Sequence, residues 1–316
     1  MTDKKIIAVV GATGAQGGGL VRAIMNDPNG GFAARAITRK KDSDKAKALA
    51  KMGADVVEAD LDNAESLKKA FAGAYGAYCV TNFWEHFSAD KEQAQARNMA
   101  EAAKAAGLKH VVWSTLEDVR RWVPLSDNRM PTLGGKWKVP HFDGKGSIDH
   151  VWKDLGVPTT LLLTSFYWEN FIYFGMGPKA GPDGTLAIGM PMGDRKLSGI
   201  GAGDIGACAY GIFKAGNEYI GKTVGIAGDH VSGKDMAAAF SKALGKKVVY
   251  HEMTPEAYRA LGFPGADDLG NMFQFYRDFN DDFMAPRGVE KSRKLNPKLA
   301  SFQQWLEANA SKVPLG

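Results

Sequence analysis

The sequence predicts an α/β protein: a Rossmann-type doubly wound parallel sheet carrying a smaller, discontinuous α+β second domain. Residues 6–10 form an unbroken apolar run that meets a glycine-rich turn at once, as a parallel strand covered on both faces should. Short apolar runs then alternate with helical patterns to about residue 163, which is the mark of βαβ units. Beyond Ser165 aromatic residues crowd the chain and the alternation stops.

Taken in order, the glycine turn at 11–18 leads into a helix ended by the breakers Asn26-Asp27-Pro28-Asn29-Gly30-Gly31. Strand two is expected at 33–38, a helix at 43–52, strand three at 56–59, a short helix at 64–71 and strand four at 77–81. Ser88 is placed to cap the longest helix of this half, which ends at Gly107. Strand five follows at 110–114. Residues 117–140, rich in Trp, Pro and Gly, read as a loop facing the active site. A helix is expected at 144–155 and a strand at 159–163. Further on, the pattern suggests a hairpin at 185–200, a helix at 204–213, a strand at 223–227, helices at 254–261 and 302–308, and segments at 248–252 and 267–278 that join the second domain. These divide the chain into a nucleotide-binding domain at 1–163, with returns at about 201–230, and a substrate or partner domain at 164–200 and 245–316.

At 316 residues, with 45% hydrophobic and 24% charged residues, the chain is long enough to bury a substantial core and too apolar for disorder. Its net charge of +5 is spread as lysine pairs with no long run, which suits a polyphosphate small molecule. No helix-turn-helix, zinc-finger or RNP-like pattern appears, so direct nucleic-acid binding is disfavoured. The two cysteines, Cys79 and Cys208, lie in apolar stretches and read as buried thiols of a reducing compartment. The histidines show no metal-ligand spacing, so no metal is expected. No apolar run approaches the ~18 residues of a membrane span, and no secretory leader is visible. The expected location is cytoplasmic, or nuclear as well in a eukaryote.

The turn Gly11-Ala12-Thr13-Gly14-Ala15-Gln16-Gly17 carries the clearest chemistry. Between a strand and a helix, such glycines let backbone approach a pyrophosphate, and the helix N-terminus behind them offers N–H groups and a positive dipole end. The residue that follows strand two decides which dinucleotide fits. An NAD-type site places a carboxylate there for the ribose hydroxyls; this chain has Thr38-Arg39-Lys40-Lys41. Guanidinium and ammonium groups grip a 2′-phosphate that a carboxylate would repel. The expected cofactor is therefore NADP(H).

These residues and several later segments resemble the NmrA-like family, atypical members of the short-chain dehydrogenase/reductase superfamily, and among them most closely the NADPH-sensing proteins. The segments are Val80-Thr81-Asn82-Phe83-Trp84-Glu85, His141-Phe142-Asp143-Gly144-Lys145-Gly146, Tyr167 with Glu169 and Asn170, Leu261-Gly262-Phe263-Pro264-Gly265-Ala266, and Asn271-Met272-Phe273 with Phe275-Tyr276. The stretch 119–140 is longer than the resemblance expects. The resemblance implies that Gly11, Thr13, Gly14, Ala15, Gln16 and Gly17 lie on the pyrophosphate. It puts Arg39, with Lys40 near it, on the 2′-phosphate, and Asp60 and Leu61 beside the adenine. Thr81, Asn82 and Phe83 would follow the nicotinamide-side ribose, which Lys145 would bond. Tyr167, Glu169 and Asn170 would border the nicotinamide.

Active short-chain reductases use a Tyr-x-x-x-Lys pair, four apart on one helix face, and a Ser or Thr at the end of strand five. This chain keeps Ser114-Thr115 and Lys145 but has His141 in the tyrosine's place. An imidazole can pass a proton, yet its ring is shorter than a phenol. Two readings follow. One is an NADP(H)-occupied redox sensor or regulator with little turnover, acting through a protein partner or a homodimer. The other is an NADPH-dependent oxidoreductase, with His141, Lys145 and Ser114 catalytic, reducing a small apolar or aromatic carbonyl or quinone.

Overall fold

A computed structural model of the chain describes residues 4–316. The first half runs β1 (Lys5–Val9), α1 (Ala15–Met25), β2 (Phe32–Thr38), α2 (Asp44–Lys51), β3 (Asp55–Glu58), α3 (Ala64–Phe71), β4 (Gly76–Cys79), α4 (Ala89–Ala105), β5 (His110–Thr115), α5 (Pro140–Gly146), α6 (His150–Asp154) and β6 (Thr159–Leu163). The second half runs β7 (Phe166–Tyr167), α7 (Asn170–Tyr173), β8 (Lys179–Ala180), β9 (Leu186–Met190), β10 (Lys196–Ile200), α8 (Ala202–Lys214), β11 (Thr223–Gly225) and β12 (Asp229–Ser232). It closes with α9 (Gly233–Leu244), β13 (Val248–Glu252), α10 (Pro255–Arg259), α11 (Ala266–Asp278), α12 (Asn280–Met284), α13 (Val289–Leu295) and α14 (Phe302–Asn309).

Seven strands form one parallel sheet in the order β11-β6-β5-β4-β1-β2-β3. The order reverses beside β1, which is where a doubly wound sheet opens a crevice at its carboxyl edge. Ile7, Ala8 and Val9 are wholly buried, because helices cover both faces of their strand. Full burial of each larger side chain there contributes about 1.5–3 kcal/mol. The fold class is the expected one.

Close glycine packing fixes α1 at that crevice. A Cβ on Gly17 would come within 2.5 Å of the Gly11 carbonyl oxygen, one on Gly19 within 2.4 Å of the Gly203 carbonyl oxygen, and one on Gly206 within 2.0 Å of the Leu20 nitrogen. Helix α1 is thereby wedged between the end of β1 and α8.

A separate core joins residues of 119–142, the aromatic run Phe166, Trp168 and Phe171, strands β9 and β10, and α9, α11 and α14. Here the structure corrects two sequence expectations. The 185–200 stretch is not a hairpin: β9 pairs in parallel with β13, while β10 pairs with β12 and β7 in another sheet. The link between them buries Met192 in the core rather than turning back on itself. The helix expected at 144–155 is two, α5 and α6. At the break, residues 117–118 cross so close that a Cβ on Gly146 would lie 2.3 Å from the Asp118 nitrogen.

Candidate functional site

The predicted cofactor residues gather along the carboxyl edge of the parallel sheet. Gly11 turns the chain at φ +63°, a left-handed conformation that suits glycine. Gly14 precedes α1 without giving it a side-chain cap, and no carboxylate stands in the first turn. The N–H groups that a helix start leaves without intrahelical partners therefore face an anion-compatible opening. Gly11, Gly14 and Ala15 are exposed there, together with Arg39 and Lys40 after β2, Asp60 after β3 and Asn82 after β4. These exposed residues follow one another along the carboxyl edge of the sheet. Gly17 is buried, and its missing side chain leaves room for the Gly11 carbonyl.

Gln16 reaches inward. Its amide donates to the Tyr167 hydroxyl, and its carbonyl oxygen accepts from the Tyr78 hydroxyl and, at 2.8 Å, from the Ser114 hydroxyl. Burial pushes the Tyr167 phenol up to about 12, against the opposing bonds from Thr164 and Gln16. Ser114 is thus tied to the floor under α1, and no bond joins it to His141 or Lys145 among the described residues. Its neighbour Thr115 points the other way and donates to Asp149 at 2.7 Å.

His141 and Lys145 lie on α5, and each is held by a carboxylate from another element. The Lys145 ammonium lies 2.9 Å from Glu92 Oε1 and donates to the Thr81 hydroxyl at 2.6 Å. Thr81 in turn donates to the same Glu92 oxygen at 2.7 Å. Glu92 is wholly buried, and its other oxygen has no partner. His141 Nδ1 stands 2.5 Å from Asp268 Oδ1 on α11, and the His141 backbone N–H donates to Asp268 Oδ2 at 3.2 Å. A carboxylate at Nδ1 fixes the tautomer with the proton on that nitrogen, leaving Nε2 as the reactive end. Aromatic rings surround the imidazole: Phe142, Trp84 and Phe83 have centroids 4.7, 4.9 and 5.9 Å from it.

The remaining predicted residues have other bonds. Arg39 is ion-paired with Glu85, at the end of the short 3-10 turn Phe83–Glu85. Glu169 accepts the Ala202 N–H at 2.8 Å and the Trp305 indole N–H at 3.1 Å, so its carboxylate caps α8. Asn170 opens α7 beside it. Leu61 is half-buried against the core under α3 and α4, and its carbonyl accepts from Asn98 at 2.8 Å. Asp149, which takes bonds from Thr115 and, at 2.8 Å, from the Trp113 indole, is pushed up to about 7 by burial.

Sequence reasoning missed Glu92, Asp268 and Asp149. Glu92 and Asp268 leave a trace: each falls in phase with apolar positions of its helix, Ala89, Ala96 and Met99 for one, Met272 and Phe275 for the other. A charge on the buried face of an amphipathic helix is rare unless it is paired.

The 117–140 segment is ordered and packed. Asp143 accepts N–H bonds from Val119, Lys138 and Val139 at 2.8, 2.6 and 3.0 Å. Its Trp137 packs with Phe83, Trp84 and Ala89 beside His141. Both cysteines are buried, which pushes their thiols up. No cluster of metal-ligating side chains occurs among the described residues, and none of their helices is long and apolar enough to cross a membrane.

A glycine turn feeding an uncapped helix at the reversal point of a parallel sheet defines a Rossmann-class dinucleotide-binding protein. The chain belongs to the NmrA-like family, whose model matches residues 3–306. The NmrA-like family domain-containing oxidoreductase FrzB of a Cladobotryum species is 31% identical over 306 residues, 90% of this chain and 88% of its own. An NmrA-like family domain-containing protein of Dictyostelium discoideum is 28% identical, over 96% of this chain and 97% of its own. Among solved structures, the negative transcriptional regulator NmrA matches with a TM-score of 0.78 at 25% identity, over 96% of this chain and 95% of NmrA. NmrA has also been crystallised with NADP. Citrobacter triphenylmethane reductase, crystallised with NADP(H), shares the fold with a TM-score of 0.74 at 21% identity, over 96% of this chain and 99% of its own.

Proposed function

We propose that the chain binds NADP(H) along the carboxyl edge of its sheet and works as a regulator whose surface depends on nucleotide occupancy. The observation that carries this reading is one short segment. Between Asn82 and Phe87 the chain reaches Arg39 through Glu85 and His141 through Trp84. A nucleotide that engages Arg39 and the nicotinamide end would act on both contacts at once. Backbone from Gly11 to Gly17 would take the pyrophosphate, Arg39 and Lys40 the 2′-phosphate, and Asp60 and Leu61 the adenine side. Thr81, Asn82, Phe83 and Lys145 would hold the nicotinamide ribose, with Tyr167 and Asn170 beyond it. Glu169 would act through α8, whose start it caps. A partner protein or a second copy of the chain would read the altered surface. The likeness to NmrA supports this reading.

A second reading, an NADPH-dependent reductase of an apolar or aromatic carbonyl or quinone, is favoured by the His141–Asp268 pair. Bound NADPH supplies hydride chemistry. This chain's part is to hold the ribose with Lys145, to exclude water with Phe83, Trp84 and Phe142, and to deliver a proton from Nε2 of the protonated His141 ring. The oxidoreductase name of FrzB agrees with it. Calorimetric titration tests the binding site: NADPH should bind roughly ten- to a hundredfold tighter than NADH, as a charge-assisted bond implies, and Arg39→Ala should abolish the difference. NADPH oxidation against aldehydes, ketones and quinones separates the readings. Steady turnover that is lost on His141→Ala or Lys145→Ala makes the protein an enzyme; background rates throughout leave the regulator.

A further inference from the structure

We infer that Glu85 competes with the 2′-phosphate of NADP(H) for Arg39 and so limits how strongly the site prefers NADP(H) over NAD(H). The inference rests on the proposed assignment of Arg39 to that phosphate. Arg39 follows the last residue of β2 and projects into solvent, its side chain 59% exposed; its Nη1 pairs with Glu85 Oε1, whose side chain is 45% exposed. Lys40 and Lys41 follow it in the chain, and among the described residues the ion pair at this corner is that of Arg39. Among the described residues Glu85 is the carboxylate that pairs with this basic corner, and it has taken the guanidinium, which is also the group best shaped for a phosphate.

The placement of Glu85 is not that of a free surface side chain. The Glu85 N–H donates to the Asn82 carbonyl at 3.3 Å, and the Phe87 N–H donates to the Phe83 carbonyl at 2.7 Å. Phe87 itself lies at φ +53°, a left-handed conformation that a non-glycine residue adopts at some cost. On the other side a Cβ on Gly265 would approach the Trp84 ring to 2.9 Å, so the 261–265 turn abuts the segment closely. The backbone of 82–87 is thereby braced from two directions and presents Glu85 to Arg39.

A solvent-exposed ion pair is weak and readily exchanged, so a phosphate carrying more charge displaces the carboxylate. It does so against the residual attraction of that pair and the repulsion of the carboxylate left nearby. A ribose that ends in a 2′-hydroxyl has no need to displace it. Glu85 consequently weakens NADP(H) binding alone and leaves NAD(H) binding as it would be without it.

The test is calorimetric titration of NADPH and NADH into the wild-type chain, Glu85→Gln, Arg39→Ala and the double variant. Both side chains are exposed, and thermal unfolding will confirm that each variant folds. Glu85→Gln should tighten NADPH binding roughly two- to fivefold, the span that exposed ion pairs cover, and leave NADH unchanged. In the Arg39→Ala background the same substitution should gain clearly less, because only the repulsion between the carboxylate and the phosphate is then relieved. An unchanged or lowered NADPH/NADH preference in Glu85→Gln, in a chain whose preference collapses on Arg39→Ala, overturns the inference and makes Glu85 a support for the guanidinium. If Arg39→Ala leaves the preference intact, the assignment of Arg39 fails and the inference falls with it.

Discussion

His141 and Asp268 stand 127 positions apart in the chain, and the ring Nδ1 of one lies 2.5 Å from Oδ1 of the other. The same carboxylate takes the His141 backbone N–H through its second oxygen. Asp268 therefore caps the start of α5, where Val139 gives no side-chain cap, and orients the imidazole as well. Two of the segments that carry the family resemblance, around residues 141–146 and just after 261–266, meet at this contact.

The first prediction concerns that pair. Asp268→Ala leaves a backbone N–H and a ring N–H unpaired in a buried place, which should cost about 1–3 kcal/mol in denaturant unfolding. Nitrogen chemical shifts of the uncharged fraction of the His141 ring should report the tautomer with its proton on Nδ1 in the wild-type chain and a mixture in the variant. An unchanged tautomer would show that the carboxylate does not set the ring's state.

Lys145 carries the second. Its buried ammonium depends on Glu92, which is itself fully enclosed. Glu92→Ala strips a buried charge of its partner and should destabilise the fold by about 3–5 kcal/mol. Glu92→Leu combined with Lys145→Met should recover most of that loss, because the two charges then leave together. Equilibrium unfolding of the single and double variants reads the coupling directly. Additive losses would mean that Thr81 alone sustains the lysine.

The third is a pH dependence set by Asp149. Burial pushes this carboxyl from its usual 3.8 up to about 7, against the bonds from Thr115 and Trp113. Folding therefore holds the proton to a higher pH than the unfolded chain does, and stability drains away as pH rises from about 4 to about 7. Asp149→Asn keeps an acceptor for both donors and removes the ionisation. The variant should match the wild type near pH 4 and exceed it above pH 7, by on the order of 4 kcal/mol. A constant difference across that range would assign the titration to another group.

The fold was legible because each strand of the parallel sheet announces itself by local composition, and its ends shifted by only a residue or two. The phosphate turn was legible for the same reason, since glycine spacing and a following helix are both local. What escaped was set by contacts between distant segments. Residues 185–200 alternate as a hairpin would, yet Leu186 and Leu197 belong to different sheets. Helix α9 has no counterpart among the expected elements, although Ser232 and Asp235 form a capping box at its start. Ser114 sits beside Thr115 in sequence, and only the pleat of β5 decides that one faces Gln16 and the other Asp149.

The last prediction tests where a regulator's response is carried. The 119–139 stretch, read from sequence as a loop, is fastened at both ends by Asp143. Its middle is held as well: the Asn271 amide donates to the Pro131 and Lys138 carbonyls at 3.0 and 2.6 Å, and the Gln274 amide to the Arg129 carbonyl at 2.7 Å. The buried Lys138 ammonium donates to the Asp127 and Met130 carbonyls at 2.7 Å each. A segment whose polar groups are already paired gains little further order from a ligand. Amide exchange across 119–139 should therefore be slow without nucleotide and unchanged by NADPH, while 83–87, which reaches Arg39 through Glu85 and the His141 ring through Trp84, should respond. Asn271→Ala, which frees two carbonyls at once, should speed exchange at 130–138 and leave the 83–87 response intact. Strong NADPH-induced slowing throughout 119–139 in the wild-type chain would show instead that this stretch opens in solution. The surface offered to a partner would then extend well beyond the Phe83–Glu85 turn.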